Sequence, residues 1–348
     1  MSVRRLTAKL FLAFRRVVAK GVLGYHELIH NPVRQPVTPF PTAEFIDVNG
    51  ITLEVFSAGD PGGSPIVLCH GWPECAYSWR HQIAPLVDAG HHVMVPNQRG
   101  YGRSSRPEPV ADYDIHHLCG DLLGLLDHFG HRDAVFVGHD WGAIVVWNLA
   151  MLHPSRVRGV VNLSVPFLER PADDPIDTFE AAMGSDFYIV HFNRRPGVAD
   201  ASFDANIENF LRNIYRTRQW HEEPRNQPAG ETIIDLATSA DPSGELMMSE
   251  ADLAVFVATF KRSGFTGGLN WYRNFSRNWE TTAEMRQRVG QPALMLHGRY
   301  DMVPQNPRLE TYVPDVETCT LECGHWIQQE QPEETNRLIL DWLARRMA

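Results

Sequence analysis

The chain is short of cysteine, with five in 348 residues and no Cys-X-X-Cys pair. Neither a disulfide framework nor a zinc site is signalled, and a reducing, cytoplasmic compartment fits. Cys69, inside an apolar run, reads as a small buried thiol. Positive charge is also scarce: 32 Lys+Arg against 42 Asp+Glu give a formal net charge of −10. With no basic stripe in the main body, a nucleic-acid partner is excluded. No apolar run is long enough to span a bilayer. The N-terminus lacks the uninterrupted apolar core and small-residue cleavage site of a secretory signal. Internal repeats and low-complexity tracts are absent. His91-His92 and His116-His117 have no ligand set around them, so no metal and no cofactor is expected.

What is present is ordinary for a soluble globular enzyme: 43% hydrophobic and 21% charged residues. Residues 1–43 form a basic extension and linker, in which Arg4, Arg5, Lys9, Arg15, Arg16 and Lys20 punctuate apolar residues at near-helical spacing. Two readings are open for it: a helix resting on an anionic membrane surface, or one packed on the body of the protein or on a second copy in a homodimer. Two alternating runs joined at Asn49-Gly50 signal a hairpin. Short apolar runs then recur at Ile66–Cys69, Val93–Val95, Ala134–Val137 and Val157–Leu163, and again at Ala293–Leu296 and Thr318–Leu321. Separated by helix-compatible stretches, they predict an α/β fold with a mostly parallel sheet flanked by helices. The rhythm stops between Pro166 and Gly290. The expected division is therefore a core of residues 44–165 and 291–348 with an inserted helical cap at 166–290. Such a cap would roof the carboxyl ends of the strands, where open α/β sheets bind ligands.

Gly138-His139-Asp140-Trp141-Gly142 lies between the run Ala134–Val137 and a helix-like segment. A small–X–nucleophile–X–small pattern in that context resembles the nucleophile elbow of α/β-hydrolases. Here the raised side chain is a carboxylate, ionised at neutral pH because an ordinary Asp has a pKa near ~3.9. It needs no base before attacking, and its product with a saturated carbon is an ester. Strained C–O and C–halogen bonds are thus the expected targets. In this fold the chain order is nucleophile, acid, histidine. Asp301 follows the run Ala293–Leu296, and His325 follows the last apolar run, so these are the candidate partners of Asp140. The turn after Cys69, His70-Gly71-Trp72-Pro73, can present a backbone N–H toward the nucleophile. Trp72 and Trp141 are the expected oxyanion donors.

From about Phe45 to the C-terminus these motifs resemble the α/β-hydrolase-fold epoxide hydrolases, the soluble epoxide hydrolase type included. His70-Gly71-Trp72-Pro73-Glu74 matches a family segment whose pre-proline peptide is commonly cis, and Arg99-Gly100-Tyr101-Gly102-Arg103-Ser104 matches a glycine-rich loop. Gly267 to Asn274 resembles the lid segment with one epoxide-gripping tyrosine, Tyr272. Phe187-Tyr188 resembles the segment with the other, for which Tyr215 and His191 are the alternatives. The resemblance implies conversion of a small apolar epoxide and water to a vicinal diol through a covalent ester on Asp140. His70, Pro73, Phe167, Phe187 and Trp271 are the candidate substrate contacts. Two rivals share the scaffold. Haloalkane dehalogenases also use an aspartate followed by Trp, but need halide-binding N–H donors rather than two phenols. Non-catalytic binding proteins usually lose a triad member, and Asp140, Asp301 and His325 are all present.

Overall fold

The computed structural model describes residues 40–217, 232–240 and 244–347. The basic segment of residues 1–39, for which membrane and packing roles were both open, lies outside them. Eight strands form one sheet in the order β1-β2-β4-β3-β5-β6-β7-β8. They are β1 Ala43–Val48, β2 Ile51–Ala58, β3 Ser64–Cys69, β4 His91–Asn97, β5 Ala134–His139, β6 Val157–Leu163, β7 Ala293–Gly298 and β8 Val316–Leu321. Only β2 runs against the others. The turn joining β1 to β2 has Asn49 at φ 46° and Gly50 at φ 77°. Two consecutive left-handed residues match the twist of a hairpin, which is why Asn-Gly marked it in the sequence.

Strands β3 and β5 are almost wholly buried because both sheet faces are covered. Alternate residues divide between two apolar layers. Val67, Cys69, Phe136, Ala293 and Met295 join one, while Ile66, Leu68, Val135, Val137, Leu294 and Leu296 join the other. The period of two thus survives inside runs that look uniformly apolar. Helices α1 Ile83–Asp88, α2 Ile115–His128 and α3 Trp141–Leu152 connect the first parallel strands. Strand order reverses at β3, which lies between β4 and β5. That makes the carboxyl ends of β3 and β5 the place where a crevice opens.

Between β6 and β7 the chain runs through helices α4 Pro175–Met183, α5 Tyr188–Arg194, α6 Val198–Ala205, α7 Ile207–Ile214, α8 Glu250–Ser263, α9 Thr266–Tyr272 and α10 Phe275–Thr281. Among the described residues, the strand pairing there is a two-residue ladder of Arg216–Thr217 with Glu245–Leu246. This insertion rests on loops that leave the carboxyl ends of β3 and β4. Tyr215 donates to the Pro73 carbonyl, and Trp271 Nε1 donates to the Arg99 carbonyl at 3.1 Å. At Gly100 (φ 95°) a Cβ would stand 2.9 Å from the Gly267 backbone, so glycine lets core and insertion meet main chain to main chain. The chain closes with α11 Ile327–Glu330 and α12 Pro332–Arg346.

Candidate active site

Asp140 sits between β5 and α3 with φ 51° and ψ −119°, a strained conformation for a residue with a Cβ. The flanking glycines are sterically required. A Cβ on Gly142 would lie 2.0 Å from the Cys69 carbonyl oxygen, and one on Gly138 would lie 2.6 Å from Ala143 N. The turn therefore presses α3 against β3 and lifts the Asp140 carboxylate above the sheet. Its Oδ1 accepts the Trp72 amide at 2.8 Å, and the Trp141 amide also bonds the carboxylate. Burial pushes the Asp140 carboxyl above its ordinary value, while His325, His139 and the two amides counter part of that push.

The loops after β7 and β8 deliver the partners. His325 Nδ1 stands 2.9 Å from Asp301 Oδ1, and its Nε2 stands 3.7 Å from Asp140 Oδ2. Burial alone would lower the His325 pKa, but the Asp301 carboxylate and then Asp140 push it up to about 9. Burial also resists ionisation of Asp301, yet His325 holds its carboxyl below the ordinary range. Asp301 is thus acceptor-only, which places a proton on Nδ1 and leaves Nε2 facing Asp140.

Tyr272 ends α9 and Tyr188 begins α5, with ring centroids 5.9 Å apart. Burial first, and the Asp140 charge second, push both phenols above their ordinary values, so both stay protonated at neutral pH. They line one cavity with Trp72, Asp140, Ile214, Ile233, Met302, Val303, His325 and Trp326. Its ionisable groups are the Asp140 carboxylate, the His325 imidazole and the two phenols; Ile214, Ile233, Met302 and Val303 form the apolar part of the wall beside the Trp72 and Trp326 rings.

The other sequence-derived candidates lie outside that lining. His70 is fully buried, with Nδ1 donating to the Gly71 carbonyl at 2.9 Å and Nε2 accepting from Gln98 N at 3.1 Å. It stiffens the turn and does not reach the cavity. Pro73 follows a cis peptide and offers its carbonyl to Tyr215. That bond also commits Tyr215 elsewhere, so it does not replace Tyr188. His191 is absent from the lining too. Phe167 stacks on Tyr312, Phe187 packs between Phe179 and Tyr188, and Trp271 is buried against Tyr101 and Trp141. Of the three, Phe187 packs directly on a residue of the lining, Tyr188.

Residues 64–332 match the family model of the alpha/beta hydrolase fold. The sequence is 42% identical over 316 residues to epoxide hydrolase A of Mycobacterium tuberculosis (strain ATCC 25618 / H37Rv), covering 87% of this chain and 97% of that one. It is 33% identical over 327 residues to bifunctional epoxide hydrolase 2 of Sus scrofa, covering 91% of this chain but 58% of that longer protein. The crystal structure of epoxide hydrolase A from Mycobacterium thermoresistibile superposes with a TM-score of 0.81 at 42% identity, over 87% of this chain and 98% of that one. The chain belongs to the epoxide hydrolases of the α/β-hydrolase fold.

This epoxide hydrolase has a second, buried polar layer that the sequence reading missed. His139, the residue before Asp140, places Nδ1 2.7 Å from Glu74 Oε2 and Nε2 2.8 Å from the His325 carbonyl oxygen. Each ring nitrogen thus faces an oxygen acceptor. Glu74 also accepts Gly71 N at 2.9 Å, and its Oε1 accepts Gln328 and Gln329 at 2.9 and 3.1 Å. Although burial works against the charge, His139, the Gly71 amide and His70 bring the Glu74 carboxyl down to about 2. At the end of β6, Ser164 Oγ lies 2.9 Å from His325 Nδ1, sharing that proton with Asp301. The signal for Glu74 was its place in the quoted His-Gly-Trp-Pro-Glu segment. A glutamate and a histidine in sequence look like surface or packing residues, and only their shared burial shows otherwise.

Among the described residues no helix is long and apolar enough to cross a membrane, and no group of three or more His, Cys, Asp or Glu is placed to hold a metal ion. All five cysteines are free thiols, four of them buried.

Proposed function

We propose that this epoxide hydrolase opens an apolar epoxide by attack of Asp140 on a ring carbon, and then hydrolyses the resulting ester. The observation that carries the reading is the placement of a strained carboxylate, two protonated phenols and a carboxylate-held histidine on one cavity. An epoxide has a poor leaving group, an alkoxide. Tyr188 and Tyr272 donate to that oxygen as charge develops, while Asp140 bonds carbon from the opposite side. The Trp72 and Trp141 amides then hold the oxyanion formed when water attacks the ester carbonyl. The helical insertion serves as the cap that closes the cavity and supplies both phenols.

The timing follows from electrostatics. In the resting enzyme the Asp140 charge helps to hold a proton on His325. Ester formation abolishes that charge, so His325 becomes a better-populated neutral base just when water must be activated. The apolar lining by Ile214, Ile233, Met302, Val303 and Trp326 supports an uncharged substrate. A halide would need N–H donors where two phenols stand, which disfavours dehalogenation. A single turnover of styrene oxide in isotopically heavy water tests the scheme. The expected product oxygen comes from the Asp140 carboxylate; label from solvent in the first turnover would contradict a covalent ester.

A further inference from the structure

The buried layer behind the nucleophile continues outward into the insertion. Arg80 follows the short turn Ala76–Trp79 and its side chain is 1% exposed. One nitrogen, Nη1, donates to Gln329 Oε1 at 2.8 Å, while Nε stands 3.2 Å from Asp252 Oδ1 on α8. Gln329 Nε2 in turn donates to Glu74 Oε1 at 3.1 Å. Glu74 grips Gly71 N beside the Trp72 amide and, through His139, the main chain of His325.

We infer that Arg80 and Gln329 are positioning residues that tie the seating of the insertion to the ester-hydrolysing half of the site, with Asp252 as the contact on the insertion side. An amide side chain has two nearly isosteric ends, so Gln329 alone has no fixed direction. Arg80, which only donates, forces Oε1 toward itself and so aims Nε2 at Glu74. Asp252 fixes the guanidinium in turn, because Tyr77 and Ser249 hold its carboxylate at 2.9 and 2.6 Å. The chain therefore runs Asp252, Arg80, Gln329, Glu74, His139, His325: an ion pair joins Asp252 to Arg80, and hydrogen bonds donated by Arg80 and Gln329 carry the next two links. Its near end touches the oxyanion loop and the histidine loop, which serve hydrolysis. It does not touch Tyr188 or Tyr272, which serve ring opening.

The inference deepens the two-step reading and rests on it. The test is a double-mutant cycle in the full-length enzyme, with alkylation and ester decay read separately by quenched-flow mass spectrometry on styrene oxide. Asp252→Asn is expected to slow ester decay about fivefold and leave alkylation within roughly twofold, a coupling typical of residues in one network. In a Gln329→Met background the same substitution is expected to change ester decay by about 1.5-fold or less. Equal effects in both backgrounds, or none in the parent, overturn the inference. Arg277→Gln breaks a different docking contact, the ion pair of Arg277 with Asp114 at 2.9 Å, and leaves Asp252, Arg80 and Gln329 untouched; if it slows ester decay as much as Asp252→Asn does, loose seating is the cause and the inference fails. Should Gln329→Met not fold, Arg80→Lys takes its place, since an ammonium lacks the planar fork that serves two partners. If no ester forms in the parent enzyme, the covalent reading fails, and the cycle read on diol output still decides the coupling.

Discussion

His325 Nε2 faces Asp140 Oδ2 across 3.7 Å, while its Nδ1 is held by Asp301 at 2.9 Å. The first distance is too long for a hydrogen bond and the second is ordinary. The histidine is thus anchored at one end and faces Asp140 without a hydrogen bond at the other, as the proposed base acting on water requires. Removing it should separate the two steps. His325→Gln is expected to alkylate normally and to hydrolyse the ester at least about 100-fold more slowly. Intact-protein mass spectrometry should show an added substrate mass; an unmodified protein after epoxide turnover would reverse the assignment.

The same pair predicts a pH signature. His325 is pushed up to about 9 in the resting enzyme, with Asp140 among the causes after Asp301. A base must be neutral to act, so ester decay should rise with pH and level off above the histidine's pKa in the ester. That value should lie below the one in the free enzyme, because esterification removes the Asp140 charge. Single-turnover decay rates set beside an NMR titration of free His325 check this; coincident pKa values would count against it.

Ring opening should depend on the phenols. Tyr188→Phe or Tyr272→Phe is expected to lower the alkylation rate by about 10²- to 10³-fold each, the range for loss of one preorganised donor. Ester decay should stay within roughly tenfold, since neither hydroxyl serves that step. Rapid-quench measurement of both phases distinguishes this from general damage to the pocket.

Asp140→Asn should abolish turnover and raise the melting temperature by a few degrees. Burial pushes the native carboxyl upward, so keeping it ionised at pH 7 costs folding free energy. A neutral amide removes that cost, the usual exchange between activity and stability at such sites. Calorimetry showing a lower melting temperature would oppose this account.

Glu74 has the opposite sign. Its carboxyl lies at about 2 in the folded enzyme, against ~4.3 for an unfolded glutamate. Its stabilisation is therefore fully present above ~4.3 and lost as pH falls toward 2. Glu74→Gln strands the buried His139 and should cost about 3–5 kcal/mol at neutral pH. Denaturant unfolding should show the gap between parent and variant narrowing from pH 5 to pH 3; a constant gap would mean the ion pair contributes little.

Local chemistry made much of this legible in the sequence. Asn49-Gly50 announced its hairpin because few residue pairs accept two left-handed conformations. Gly138 and Gly142 announced the elbow because nothing larger fits beside Cys69 and Ala143. Asp140, Asp301 and His325 were reachable because a strand end followed by a polar residue is a short-range pattern. The cavity wall was not. Phe167, Phe187 and Trp271 are aromatic and near the site in sequence, yet they lie outside the lining. Ile214, Met302, Val303 and Trp326 carry no distinguishing chemistry and became wall residues only through their place in the fold.

The sequence by itself determined the order of strands and helices and the sharp turn that raises Asp140, since each depends on residues within a few positions of one another. Tertiary structure alone decided which buried polar groups serve the site. Glu74 and His139 are 65 residues apart, Arg80 and Gln329 are 249 apart, and Ser164 and His325 are 161 apart. A charge becomes a functional group when burial removes water from it and a partner replaces that water. No local pattern reports which distant segment will supply the partner.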